Sequence, residues 1–161
     1  MALRYSKKAL ERFLHPKYMG KMRNPDGTGK AGNPICGDIL EVSVKIGGKE
    51  KKKVEYIQEI SFRTLGCCAA IAVSDVICEL AKGQTIEAAL RIKSDKIVKS
   101  LGGLPGVKYH CSLLGVDALT EAIYNYLSKN KKPIPEKLKE KHQRIERQRK
   151  EIEKRYKEWI R

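Results

Sequence analysis

No apolar run in this chain approaches the roughly 18 to 20 residues that a transmembrane helix needs, and residues 1–12 hold no apolar segment of the kind a secretory signal requires. The expectation is a soluble, cytoplasmic chain with no membrane partner. Catalytic signatures are equally scarce. There is no Gly-x-Ser-x-Gly elbow, no phosphate-cradling Gly-x-x-x-x-Gly-Lys-Ser/Thr loop, no Gly-x-Gly-x-x-Gly after a strand, no His-Glu-x-x-His and no Cys-x-x-Cys pair. Aromatic residues are few, at 6%, and acidic residues are outnumbered, with 19 Asp and Glu against 34 Lys and Arg for a formal charge of +15. The five cysteines are an odd number in a chain of 161 residues, long enough to fold without staples, which argues against a secreted disulfide framework. Reduced thiols are expected, some of them as metal ligands.

What the chain has is one domain's worth of apolar residues, 41%, in a pattern that changes along its length. Residues 6–14 read as a helix capped by Ser6, with Ala9, Leu10, Phe13 and Leu14 on one face. Residues 20–37 are dense in Gly, Pro, Asn and Asp and read as a long loop, a length that calls for a functional explanation. Leu40, Val42, Val44 and Ile46 then alternate with polar residues as a half-buried strand, and Gly47-Gly48 reads as a two-residue hairpin turn. Residues 51–56 and 57–65 read as two further strands, with Lys51, Lys52 and Lys53 as a solvated edge that discourages edge pairing. Helices follow at 69–81, 85–92, 94–101 and 112–127, interrupted by the Gly-Pro-rich stretch 102–107. Strands followed by helices indicate an α+β fold, a three-stranded antiparallel sheet with helices packed on one face.

Residues 129–135 form a basic hinge, and from 136 onward a separate amphipathic helix carries Leu138, Ile145, Ile152 and Trp159 at seven-residue intervals. Residues 129–161 hold fourteen Lys or Arg against six Asp or Glu, a net of +8, so more than half of the excess charge lies in this extension. The division is therefore a domain at 1–128 and a basic hinge and helix at 129–161. Nucleic-acid binding is the reading that charge invites, yet only Tyr156 and Trp159 interleave the cations as stacking surfaces and no binding motif accompanies them. The sparse apolar stripe fits docking on a partner or on a second copy of the chain better.

Three cysteines occupy junctions that core packing does not readily explain. Cys36 precedes the first strand in the Gly-Pro loop, Cys67 follows Gly66 at the start of an apolar helix, and Cys111 follows His110 where another helix begins. For the latter two, the helix dipole is expected to stabilise a thiolate and lower the thiol pKa. Asp38 and His110 add an oxygen and a nitrogen donor beside them. The residues alone leave two readings open, a metal or cluster site and ordinary small buried residues. Cys78, among Val76, Ile77 and Leu80, is a packing residue, while Cys68 fits burial, a redox role or a spare-ligand role beside Cys67. His15 and His142 stand apart from other donors and read as structural or solvated.

Four blocks, Gly32-Asn-Pro-Ile-Cys-Gly-Asp38, Phe62-Arg-Thr-Leu-Gly-Cys-Cys-Ala-Ala-Ile71, Leu104-Pro-Gly-Val-Lys108 and His110-Cys-Ser-Leu-Leu114, occur in an order and spacing that resembles the IscU/NifU-type iron-sulfur cluster assembly scaffold family. The resemblance covers about residues 5–127 and implies the α+β fold already read from periodicity. It implies that Cys36, Cys67 and Cys111 ligate a [2Fe-2S] cluster, with Asp38 and His110 as further ligands or, for Asp38, as a control on release. It also implies a scaffold rather than an enzyme. Iron and persulfide sulfur from a cysteine desulfurase are combined on such a scaffold and passed to acceptor apoproteins, and a homodimer sharing one cluster is compatible with three cysteines per chain. Two positions depart from the family pattern. Cys68 stands where Gly or Ser is common, so either thiol of the pair is a candidate for iron or persulfide. Gly106 stands where many members have a second proline in the segment an Hsp70-type chaperone recognises, which loosens its extended shape. The alternative is a zinc-stabilised persulfide relay using the same ligands, although the insertion between the second and third cysteines common in zinc-type relatives is absent.

Overall fold

The structure is a computed structural model that describes residues 4–49 and 54–159, with side chains through residue 157. Helix α1 (Lys7–Leu14) starts where Ser6 Oγ accepts a hydrogen bond from the Ala9 N–H at 3.0 Å. Of the face expected to bury, only Ala9 does so; Leu10, Phe13 and Leu14 remain exposed. The segment after α1 is fastened to the body by Asp75. This fully buried carboxylate accepts from Arg12 Nη1 at 2.8 Å and from the Lys17 and Tyr18 N–H groups at 2.7 and 2.9 Å.

The sheet has three antiparallel strands in the order β1 (Gly27–Gly32), β2 (Ile39–Gly47), β3 (Tyr56–Leu65). The strand count is as expected, and the alternating strand from Ile39 and most of 57–65 are found where periodicity indicated them, but the third strand is a different one. Strand β1 lies inside the stretch read as a loop, and residues 57–65 join Tyr56 in one strand. The reason is on the buried face, where β1 presents Gly27, Gly29 and Ala31 opposite Val44, Val42 and Leu40. A Cβ at Gly29 would sit 2.1 Å from the Ala122 amide nitrogen, and one at Gly27 would sit 2.4 Å from the Ala122 carbonyl oxygen. The strand is glycine-rich because a helix backbone lies directly on it. The expected two-residue turn is also replaced, since Gly47 pairs with Tyr56 and residues 48–55 connect them. Lys51, Lys52 and Lys53 lie outside the described residues.

Ile60 and Phe62 of β3 continue the apolar face, while Glu41 on the opposite face binds Arg63 at 2.7 Å and Lys30 at 3.7 Å. Onto the apolar face pack α2 (Cys68–Ala81) and α5 (His110–Lys129), with the short helices α3 (Ile86–Leu90) and α4 (Ser94–Ser100) alongside and a 3-10 turn at Gly106–Lys108 leading into α5. Thr85 caps α3 by accepting from the Ala88 N–H. Cys78 is buried in this core, as a packing cysteine should be. No helix among the described residues is long and apolar enough to cross a membrane.

Helix α6 (Glu136–Trp159) lies against β1 and α5. Of its stripe, Leu138, Ile145 and Ile152 are buried on the chain's own body, so these three are occupied within the chain rather than open to a partner or second copy, while the Trp159 side chain lies outside the described residues. His142, read as isolated, stacks on Tyr124 with ring centroids 3.8 Å apart and bonds Glu121 through Nδ1 at 2.9 Å. Arg144 forks onto both oxygens of Asp117 at 3.1 and 2.9 Å, adding a second polar tie.

Candidate metal centre

Three elements end at one place. Asp38 immediately precedes β2, Cys67 caps the start of α2 without using its side chain as a cap acceptor, and Cys111 lies in the first turn of α5. One ligand atom from each of Asp38, Cys67 and Cys111 lies within 4.8 Å of the other two. The Cys67 thiol donates to Asp38 Oδ2 at 3.5 Å, and the Cys67 and Cys111 sulfurs are 3.9 Å apart. That sulfur separation is far beyond the roughly 2.05 Å of a disulfide, and all five cysteines are free. It is instead the spacing of two thiolates on one tetrahedral ion. Bonds of about 2.3 Å to sulfur and about 2.1 Å to oxygen place two sulfurs about 3.8 Å apart and a sulfur and an oxygen about 3.6 Å apart. The donors fit a soft, thiolate-loving metal with one oxygen ligand.

The remaining expected donors fall outside this set. Cys36 lies on the connection between β1 and β2, half-buried beside Asp38. His110 precedes Cys111 on α5, and adjacent helical residues project about 100° apart, so the ring cannot share the direction of the Cys111 thiol. Its Nε2 is nonetheless buried without a hydrogen-bond partner, an unused donor of a kind rare in a folded interior. Of the adjacent thiols, Cys67 belongs to the set of converging donors and Cys68 does not.

The thiol acidities differ from expectation. Burial pushes the Cys111 thiol well up, and the neighbouring Cys67 adds to the rise, so desolvation outweighs the helix dipole there. Burial also raises Cys36, with Asp38 and Cys67 pushing the same way against one backbone hydrogen bond from Asp38. Burial followed by the charge of Cys67 raises Cys68. Two neighbours were not anticipated as site residues. The Lys108 ammonium is held above its ordinary value chiefly by the charge of Cys67, and Tyr5 is raised by burial and then by Cys67 and Cys68. Lys108 closes the Leu104-Pro-Gly-Val-Lys108 block, a visible signal; nothing in the sequence around Tyr5 marks it.

The family model described as the NifU-like N-terminal domain matches residues 4–133. The protein named iron-sulfur cluster assembly scaffold protein IscU 1 of Archaeoglobus fulgidus is 46% identical over 128 residues, covering 80% of this chain and 80% of that one. The IscU scaffold protein of Rickettsia prowazekii is 41% identical over 133 residues, covering 80% of this chain and 97% of its own length. Among solved structures, a putative iron-sulfur cluster assembly scaffold for the SUF system from Fervidobacterium islandicum superposes with a TM-score of 0.59 at 21% identity, over 74% of this chain and 96% of that one. The last likeness supports the fold.

Proposed function

The chain belongs to the NifU-like N-terminal domain family, and from that membership we propose that it is a scaffold on which a [2Fe-2S] cluster is built and from which it is handed to acceptor apoproteins. One observation carries the reading: Asp38, Cys67 and Cys111 converge from three elements at the spacing of one tetrahedral ion. Cys36 is the third thiolate, and His110, with its unpartnered Nε2, alternates with Asp38 as the fourth donor. An oxygen or imidazole in the fourth position holds the cluster less firmly than a fourth thiolate would, and a donor protein needs that lability.

Sulfur arrives as the persulfide of a cysteine desulfurase. A thiolate of this chain attacks its terminal sulfur, and the desulfurase leaves as a thiolate. An external reductant then supplies two electrons per sulfur to give sulfide, which bridges the iron. The Lys108 ammonium beside Cys67 places a cation at the rim of the site, where an anionic persulfide is handed over. Exposed Ile35, Leu65 and Val107, each within two residues of Cys36, Cys67 or Lys108, give the site an apolar rim suited to protein partners. The Leu104–Lys108 segment is the candidate contact for an Hsp70-type chaperone, and two chains sharing one cluster is the dimer this ligand number permits. The family match ends at residue 133, which supports taking 1–128 as the scaffold unit and 129–161 as its extension.

Anaerobic incubation with cysteine, a cysteine desulfurase, ferrous iron and a dithiol reductant, followed by addition of an apo-ferredoxin, tests the proposal. The expected result is a [2Fe-2S] spectrum on this chain that moves to the ferredoxin. The one-ion spacing of the donors also suits Zn²⁺, so persulfide without iron uptake, on a chain holding zinc, assigns the protein to sulfur relay instead.

A further inference from the structure

Cys36 differs from the other thiols in what holds it. Cys67 caps one core helix and Cys111 sits in the first turn of another, whereas Cys36 rides on the loop between β1 and β2. That loop closes on itself. The Asn33 N–H donates to the Asp38 carbonyl at 3.0 Å, the Gly37 N–H donates to the Asn33 carbonyl at 2.8 Å, and the Ile35 N–H donates to Asn33 Oδ1 at 2.8 Å. Gly37 turns the chain with φ at +74°, a region that favours glycine. These bonds leave the carbonyls of Pro34 and Gly37 for partners outside the loop, and both are taken by α6. Arg155 Nη1 donates to the Pro34 carbonyl at 2.9 Å, and the Tyr156 hydroxyl donates to the Gly37 carbonyl at 2.6 Å.

The two contacts flank Cys36 and come from a helix that lies beyond the family match at 4–133. Ile152, fully buried one turn earlier on α6, is packed so close to Gly32 that a Cβ there would sit 2.6 Å from its Cδ1. The loop, Ile152, Arg155 and Tyr156 line one recess that contains Cys36. We propose that the end of α6 is a clamp on the Cys36 loop, with Arg155 and Tyr156 as positioning residues that hold the loop, and Cys36 with it, beside Asp38. A polydentate cargo leaves through the donor on the least anchored element first. The clamp therefore slows loss of the cluster, and lifting the end of α6 frees Cys36 and starts release. This deepens the scaffold reading and rests on it for the cluster, while the clamp itself is a property of the metal-free chain.

The test uses the full-length, metal-free chain and the double variant Arg155→Ala, Tyr156→Phe. Alkylation of each cysteine by N-ethylmaleimide at pH 8 is followed by mass spectrometry, with thermal unfolding run in parallel. With two hydrogen bonds removed, Cys36 is expected to react about ten-fold faster, while the Cys68 rate stays unchanged and the unfolding midpoint falls by no more than about 4 °C. A Cys36 rate within two-fold of wild type overturns the clamp. So does an equal acceleration of Cys36 and Cys68 with a midpoint lowered by more than that, which is general loosening. In the cluster-loaded forms, a chelator should strip the double variant several-fold faster than wild type. If wild type takes up no cluster at all, the scaffold reading fails, and the alkylation comparison still decides the clamp.

Discussion

Cys111 lies in a buried pocket 3.9 Å from the sulfur of Cys67, where a second negative charge is unwelcome until a cation arrives. Because burial and then Cys67 hold its thiol above the ordinary range, metal must displace a proton that the pocket retains. Affinity for Zn²⁺, used as a non-redox probe, is therefore expected to rise with pH by about ten-fold per unit between pH 6 and 8 for each proton displaced; chelator competition at several pH values measures it. The same shift has a stability consequence of fixed sign. The folded metal-free chain binds that proton more tightly than the unfolded chain, so stability is complete below the ordinary thiol range and declines as pH rises through it.

On the scaffold reading Asp38 supplies an oxygen where a thiolate would grip harder, so Asp38→Cys is expected to slow cluster loss several-fold in a chelator-release assay. Release as fast as wild type would remove that role. Asp75 acts on architecture instead. Asp75→Ala strips Arg12 and two backbone N–H groups of their buried acceptor and should cost about 3 kcal/mol in urea unfolding.

At the scale of elements, the helices α2, α5 and α6 follow the apolar pattern closely, since each buries a run or stripe visible in the sequence, whereas the short α3 and α4 bury one residue each, Ala89 and Ile97. Strand β1 does not, because its buried positions are Gly27, Gly29 and Ala31, small residues that leave room for α5 and read as loop punctuation. Gly29→Ala is expected to lower stability by about 3 kcal/mol or to prevent folding, since the added Cβ meets helix backbone that cannot step aside. In the site, Cys67 and Cys111 were legible from their positions at helix starts, and Asp38 from its place beside Cys36. Lys108 and Tyr5 were not read as site residues because proximity to Cys67 is created by tertiary packing across the chain. Helix α6 was legible as an amphipathic element, but which surface its stripe covers depends on β1, the strand that periodicity missed. Ile145→Ala should therefore destabilise the whole chain by about 3 kcal/mol in thermal or urea unfolding, rather than leave the body untouched as a free helix would.

Across the whole molecule, the formal +15 charge is partly organised internally. On α6, Arg144 pairs with Asp117, Arg149 with Glu146 and Glu153, Lys150 with Glu146 and Arg155 with Glu151. Tyr156 is engaged at Gly37 rather than free to stack on a base. The extension is thus built into the body that carries the candidate metal centre, its far end reaching the first cysteine loop. The central claim is that this chain builds its cluster at Cys36, Cys67 and Cys111. The most direct measurement is iron and sulfide content after anaerobic reconstitution of wild type and of Cys36→Ser, Cys67→Ser, Cys111→Ser and Cys78→Ser, under identical conditions. The account predicts a cluster on wild type and on Cys78→Ser, and little or none on the other three. A full complement of iron and sulfide on Cys36→Ser, Cys67→Ser or Cys111→Ser would contradict it.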